Sequence, residues 1–106
     1  MSLRRSVGWC RYHQRMPLLD QDERSRFLAG APGWSIDGET IAKTYAFANF
    51  AAAMGFVTSV GVLAEKAFHH PDIDIRYSKV TIALTTHDQG GLTEKDTTLA
   101  AQFDAL

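Results

Sequence analysis

Between Asn49 and His69 the chain sets Phe50, Met54, Val57, Gly61, Ala64 and Phe68 three and four residues apart, and Pro71 follows at once. That spacing gathers the apolar groups along one side of a long α-helix. Proline disfavours helical backbone at the residue before it, so the helix has ended by then. Gly55 and Gly61 lower the helix propensity of the segment and would let another element approach closely.

The flanking segments are short and alternate. Trp34-Ser35-Ile36 reads as a strand, Asp37-Gly38 as a hairpin turn, and Thr40 to Phe47 as the partner strand. Ile41, Tyr45 and Phe47 fall on one face, Thr44 and Ala46 on the other. A second pair runs over Asp74 to Tyr77 and Val80 to Thr86, with Ser78-Lys79 at the turn. A first helix is expected from Gln21 to Ala29. Asp20 and Glu23 form its capping box, Leu19, Phe27 and Leu28 its apolar side, and Pro32-Gly33 its stop. Thr93 with Asp96 starts a last helix near Glu94, with Leu99, Phe103 and Leu106 as its buried side. The order is α-β-β-α-β-β-α, an α+β sandwich with its helices on one face of two hairpins. Trp34, Phe47, Phe50 and Phe56 are expected in the core.

At 106 residues the chain suits one domain with a modest core that gains from oligomerisation. Its net charge of -1 does not call for nucleic acid, and its strands carry few basic residues. The single cysteine, Cys10, cannot form an internal disulfide, which fits a reducing compartment. The apolar-rich run from Ala46 to Ala64 is interrupted by Asn49, Gly55, Thr58, Ser59 and Gly61, so no membrane span is expected. The first residues lack the apolar core of a secretory signal, and a cytoplasmic location is expected. Residues 1–16 carry Arg4, Arg5, Arg11 and Arg15 without an acid and read as a basic tail, most simply disordered or a mis-assigned start, with a targeting peptide, which would be richer in serine, as the alternative. The folded domain is expected over residues 17–106.

Four histidines carry the chemical interest. His69 and His70 end the long helix, His87 follows a strand in Thr85-Thr86-His87-Asp88, and His13 lies in the tail. Element ends are where a scaffold presents side chains to a cleft. Glu65 lies four residues before His69, so a helix would put both on one face and let the carboxylate orient and charge the ring. Imidazoles can both give and take protons near neutral pH. Blander readings compete. A His-His pair complements a helix dipole, His87 alone is a loop residue, Asp88 a turn residue, and Glu65 a solvated one. His69, His70, His87 and Asp88 offer ligands enough for zinc. However, neighbouring helical residues point about 100° apart, and the H-E-x-x-H spacing is missing, so no metal is expected. Dinucleotide, P-loop and nucleophile-elbow motifs are also missing.

Glu65-Lys66-Ala67-Phe68-His69-His70-Pro71, then Tyr77 and Val80, then Thr86-His87-Asp88, resemble the signature of pterin-4a-carbinolamine dehydratases. The resemblance extends to Gly33-Trp34, to residues 41–50, and to Gly91-Leu92-Thr93-Glu94-Lys95-Asp96 with Leu99-Ala100. It covers about residues 17–106. It implies a four-stranded antiparallel sheet with three helices on one side, in dimers or tetramers. The implied reaction converts a 4a-hydroxytetrahydropterin to a quinonoid dihydropterin, without an external cofactor. The implied setting is tetrahydrobiopterin recycling beside an aromatic amino acid hydroxylase. Many members have an aromatic residue two positions after the proline, where this chain has Ile73.

For that reaction, proton transfer is expected from His69 and His87, on opposite sides of the bridgehead carbon. His70 would contact the pterin or the leaving water. Glu65, Pro71, Thr85, Thr86 and Asp88 complete the expected substrate site, with the backbone of residues 85–87 bonding the ring. That reading requires three imidazoles around a single heterocycle. Two other roles fit the same resemblance. One is a protein-interaction module that stabilises transcription-factor dimers. The other is an accessory enzyme in a different pterin pathway, such as molybdopterin chemistry.

Overall fold

A computed structural model of the chain describes residues 16–106, so all but the last residue of the basic tail lies outside the described residues. The elements follow the expected order. They are α1 (Gln21–Gly30), β1 (Ser35–Asp37), β2 (Thr40–Ala46), α2 (Phe50–Ala67), β3 (Asp72–Arg76), β4 (Lys79–Leu84) and α3 (Glu94–Asp104). The strands form one antiparallel sheet in the order β1-β2-β4-β3.

Local chemistry sets the boundaries. Asp20 accepts the Glu23 N–H and Glu23 accepts the Asp20 N–H, each at 2.8 Å, so α1 begins with a reciprocal cap. Asn49 caps α2 by accepting the Ala52 N–H at 2.8 Å. The β1–β2 turn places Gly38 at φ 62°, where a side chain would be strained. Tyr77 opens the β3–β4 turn at φ 54° without being glycine.

Alternation assigns the sheet faces as expected. Ile41 on β2 and Val80, Ile82 and Leu84 on β4 point into the core. They meet Ala53 and Val60 of α2 and Leu99, Ala100 and Phe103 of α3, with Trp34 and Leu92 closing the ends. α1 has no buried residue and joins through Phe27, with Leu19 packing just ahead of it. The outer face carries small groups, including a Thr44–Thr81 hydroxyl pair at 2.8 Å.

Asp104, at the end of α3, gathers three donors from the sheet side. These are Trp34 Nε1 at 2.9 Å, Lys43 Nζ at 2.9 Å and the Tyr45 hydroxyl at 2.5 Å. Burial pushes the Asp104 carboxyl up, but these three bonds and the Lys43 charge outweigh it and hold it below its usual range. Burial, then the bond to Asp104, pushes the Tyr45 phenol far above its usual value.

Three expectations need correction. The buried side of α2 is Ala53, Val60 and Ala64, while Phe50 and Met54 from the expected stripe are exposed. The helix is apolar on both sides, so periodicity alone could not choose between them. Leu106 lies beyond α3 and is exposed, as is Leu28 on α1. Finally, α2 spans 18 residues with a mean hydropathy of 1.3, long and apolar enough by length and composition to cross a membrane. Here its alanine and valine side packs on the sheet.

Candidate active site

α2 ends earlier than its periodicity suggests. Phe68 adopts the left-handed conformation at φ 51°, and its N–H bonds back to Ala64 and Glu65. The His69 N–H also returns to Ala64 O, at 3.1 Å. This is the bonding of a helix C-terminus, made without the usual glycine. His69 and His70 therefore lie past the helix, not on its face. Pro71 then directs the chain into β3 and favours extended backbone at His70.

This stop changes the partners of the two histidines. The expected Glu65–His69 pair is not formed. Glu65 Oε1 instead meets His70 Nε2 at 2.9 Å, with both side chains exposed. His69 Nε2 lies 2.6 Å from Asp96 Oδ1, in a pairing where Asp96 is fully buried and the His69 ring nearly so. A carboxylate accepts only, so Nε2 of His69 carries the hydrogen and Nδ1 is left for other partners.

Asp96 is the centre of a buried polar cluster. Its Oδ2 accepts the Thr86 hydroxyl at 2.8 Å and the Thr93 N–H at 3.0 Å. The Thr93 hydroxyl lies 2.9 Å from that of Thr86. The carboxylate thus has the several partners that a buried charge needs. Sequence reasoning saw Asp96 only as the acid of a capping box. No local signal pointed it at a histidine 27 positions earlier.

Thr86 departs from its expected place. Its side chain faces this interior cluster, and its N–H and C=O are both paired with Gly91 at 3.2 Å. Its hydroxyl is buried and bonded within that cluster. Thr85 donates its hydroxyl to the Glu39 carbonyl at 2.5 Å. β4 stops at Leu84, and His87 opens a short 3₁₀ turn, His87–Gln89, closed by Gly90 at φ 80°. His87 and Asp88 are exposed on that turn.

A cleft of about 100 Å³ opens at the end of β4, and His70, His87 and Thr85 line it together with Thr40, Asp72 and Leu84. Residues 70 and 87 are brought together because β3 and β4 are neighbours and both histidines lie just beyond paired strand ends. His69 lines a separate depression of about 200 Å³ on the α3 side, with Ala67, Lys95, Leu99 and Gln102. Two of the three imidazoles therefore share one cleft, and the third is turned toward α3. Thr40 and Asp72 were not singled out from the sequence. Among the described residues no three His, Cys, Asp or Glu side chains gather as a metal site would require.

A sequence profile described as pterin 4 alpha carbinolamine dehydratase matches residues 17–106. The chain belongs to this family. A provisionally named pterin-4-alpha-carbinolamine dehydratase of Chloroflexus aurantiacus is 56% identical over 91 residues, covering 86% of this chain and 98% of that protein. A second, from Roseiflexus castenholzii, is 51% identical over 89 residues, covering 84% and 96%. The crystal structure of a transcriptional coactivator/pterin dehydratase from Brucella melitensis superposes with a TM-score of 0.80 at 33% identity, covering 84% of this chain and 97% of that one. A pterin dehydratase-like protein identified as a RuBisCO assembly factor in the alpha-carboxysome superposes with a TM-score of 0.56 at 26% identity, covering 68% and 83%. The three-helix, four-stranded dehydratase fold is therefore the fold of this chain, and family members are similar to it over nearly their whole length.

Proposed function

We propose that this chain dehydrates a 4a-hydroxytetrahydropterin by histidine acid–base catalysis at the cleft beyond β4. The observation that carries the reading is that His70 and His87, 17 positions apart, line that one cleft together with Thr85. The reaction breaks the C4a–O bond and forms the C4a=N5 bond. An imidazolium gives its proton to the departing hydroxyl, which leaves as water. A neutral imidazole takes the N5 proton. The two protons balance, and no redox cofactor is needed.

The cleft favours His70 and His87 as the imidazoles that touch the ring, in place of the His69–His87 pairing expected from the sequence. Asp72, Thr85 and Thr40 line the cleft and would bond the heterocycle, with Glu65 reaching it through His70 and Asp88 following His87 in the chain. Pro71 holds His70 in direction. His69, anchored on Asp96 and turned toward α3, is assigned a supporting role beside the cleft pair. Proton-transfer groups are worth about 10²–10⁴ in rate. Stopped-flow dehydration of a synthetic 4a-hydroxytetrahydropterin should show losses of that order for His70→Ala and His87→Ala, and a smaller loss for His69→Ala. Wild-type rates in both cleft variants would end this reading. The largest loss at His69 would restore the pairing expected from the sequence.

We further propose a cytoplasmic homo-oligomer that serves tetrahydrobiopterin recycling. The uncovered apolar groups of α2, Phe50, Met54 and Val62, support self-association. The same surface gives a second reading some weight, because structural relatives include a coactivator and an assembly factor. A purified chain that lacks dehydratase activity yet captures a helical protein partner would favour that reading.

A further inference from the structure

The turn that carries His87 is held from two sides. On the inside, Thr86 is tied to Asp96. On the outside, the same turn meets Glu39, the last residue of the β1–β2 turn. The Glu39 carbonyl accepts the Thr85 hydroxyl at 2.5 Å, on the limb entering the turn. The Glu39 carboxylate accepts the Leu92 N–H at 3.1 Å, on the limb leaving it. Between these contacts Thr86 and Gly91 pair with each other and close the base of the loop.

Glu39 is itself fixed. Arg24 of α1 places Nη2 2.7 Å from both carboxylate oxygens and donates Nη1 to the Gly38 carbonyl at 2.9 Å. One guanidinium nitrogen shared between both carboxylate oxygens, with the other on the neighbouring Gly38 carbonyl, ties the carboxylate and its backbone to the same side chain. The Arg24 bond, then the Leu92 N–H, holds the Glu39 carboxyl below its usual range. Gly91 is buried against this carboxylate, and a Cβ there would lie 2.9 Å from Glu39 Cδ. Thr40, the next residue after Glu39, lines the cleft beside His87.

We infer that Glu39, aimed by Arg24, is a positioning residue that sets where His87 stands in the cleft. It bonds both limbs of the His87 turn, while its own anchor lies on a different element. Among the described residues, no other exposed residue bonds both limbs. The inference rests on the dehydratase reading for its kinetic arm only.

The test compares Glu39→Ala, which removes the Leu92 acceptor, with Glu39→Gln, which keeps an acceptor oxygen and loses the charge. A misplacement of 1 Å can cost about 10²-fold in rate, so a partial release in Glu39→Ala should lower kcat roughly tenfold with KM near wild type. Glu39→Gln should recover most of kcat. The ring NMR signals of His87 should move in Glu39→Ala while those of His69 stay, and thermal melts of both variants check folding. An unshifted His87 signal with wild-type kcat would overturn the inference. So would an equal kcat loss in both variants, or a shift of His69 as large as that of His87. If wild type itself shows no dehydration, the proposed function fails, and the His87 signal in Glu39→Ala alone decides the positioning role.

Discussion

Replacing Asp96 with alanine should damage the fold more than any surface change, and the size of the effect can be worked from its partners. The carboxylate is fully buried and accepts three bonds, from His69 Nε2, the Thr86 hydroxyl and the Thr93 N–H. Leaving a buried donor without its acceptor costs about 1–3 kcal/mol each, so losing the shared acceptor of three donors is worth roughly 4 kcal/mol after partial relaxation. The Thr93 N–H belongs to the N-cap residue, so part of that cost is the lost return half of the α3 capping box. Taking about 4 kcal/mol, and roughly 4–8 °C per kcal/mol for a domain of this size, the melting temperature should fall by about 15–30 °C. Asp96→Asn keeps an acceptor oxygen for Thr86 and Thr93 and should lose less. Urea titration of both variants separates stability from compactness through the midpoint and the slope. An Asp96→Ala chain that melted within about 4 °C of wild type would contribute less than roughly 1 kcal/mol at this site. That result would refute the claim that these groups depend on one carboxylate.

Other perturbations have definite expected outcomes. The Asp104 carboxyl is held below its usual range in the fold, so its contribution is present above the unfolded value of about 3.9 and fades as pH falls through the lower folded value. Asp104→Asn should therefore narrow its stability gap to wild type in acid titrations, and a gap that widened with acid would contradict the assignment. Phe68 is a left-handed phenylalanine with 81% of its surface exposed, so Phe68→Gly should relieve strain of roughly 1–2 kcal/mol and raise the melting temperature. A lower melting temperature would show that the ring has a packing role. Val62→Glu, on the uncovered side of α2, should shift the species seen by light scattering toward monomer, and an unchanged mass would move the interface elsewhere.

Much of the architecture was legible because local chemistry and tertiary structure agree. Asp20, Thr93, Asp37-Gly38 and the alternating Val80-Ile82-Leu84 each carry their own instruction, and the fold obeys each one. The failures occurred where two answers were locally equal. α2 offers apolar groups at helical spacing on both Phe50-Met54 and Ala53-Val60-Ala64, and only the sheet decides which is covered. Its end was misplaced because Phe68, not glycine, takes the left-handed position. That one residue moved Glu65 from His69 to His70. The candidate site was legible as residue types and missed as partnerships. Nothing near Asp96 in the chain signals that its second oxygen completes a contact with His69, since that contact depends on how α3 docks.

The carboxylate that starts α3 is also the one that grips His69. The beginning of the last helix and the orientation of the His69 imidazole are therefore coupled. By linkage, a ligand that prefers the gripped ring should slow amide exchange in the first turn of α3, at residues it never touches. Conversely, fraying at Glu94 and Lys95 would release the ring. The hydrogen-exchange record of one helix terminus thus serves as a gauge of occupancy at the other end of that bond.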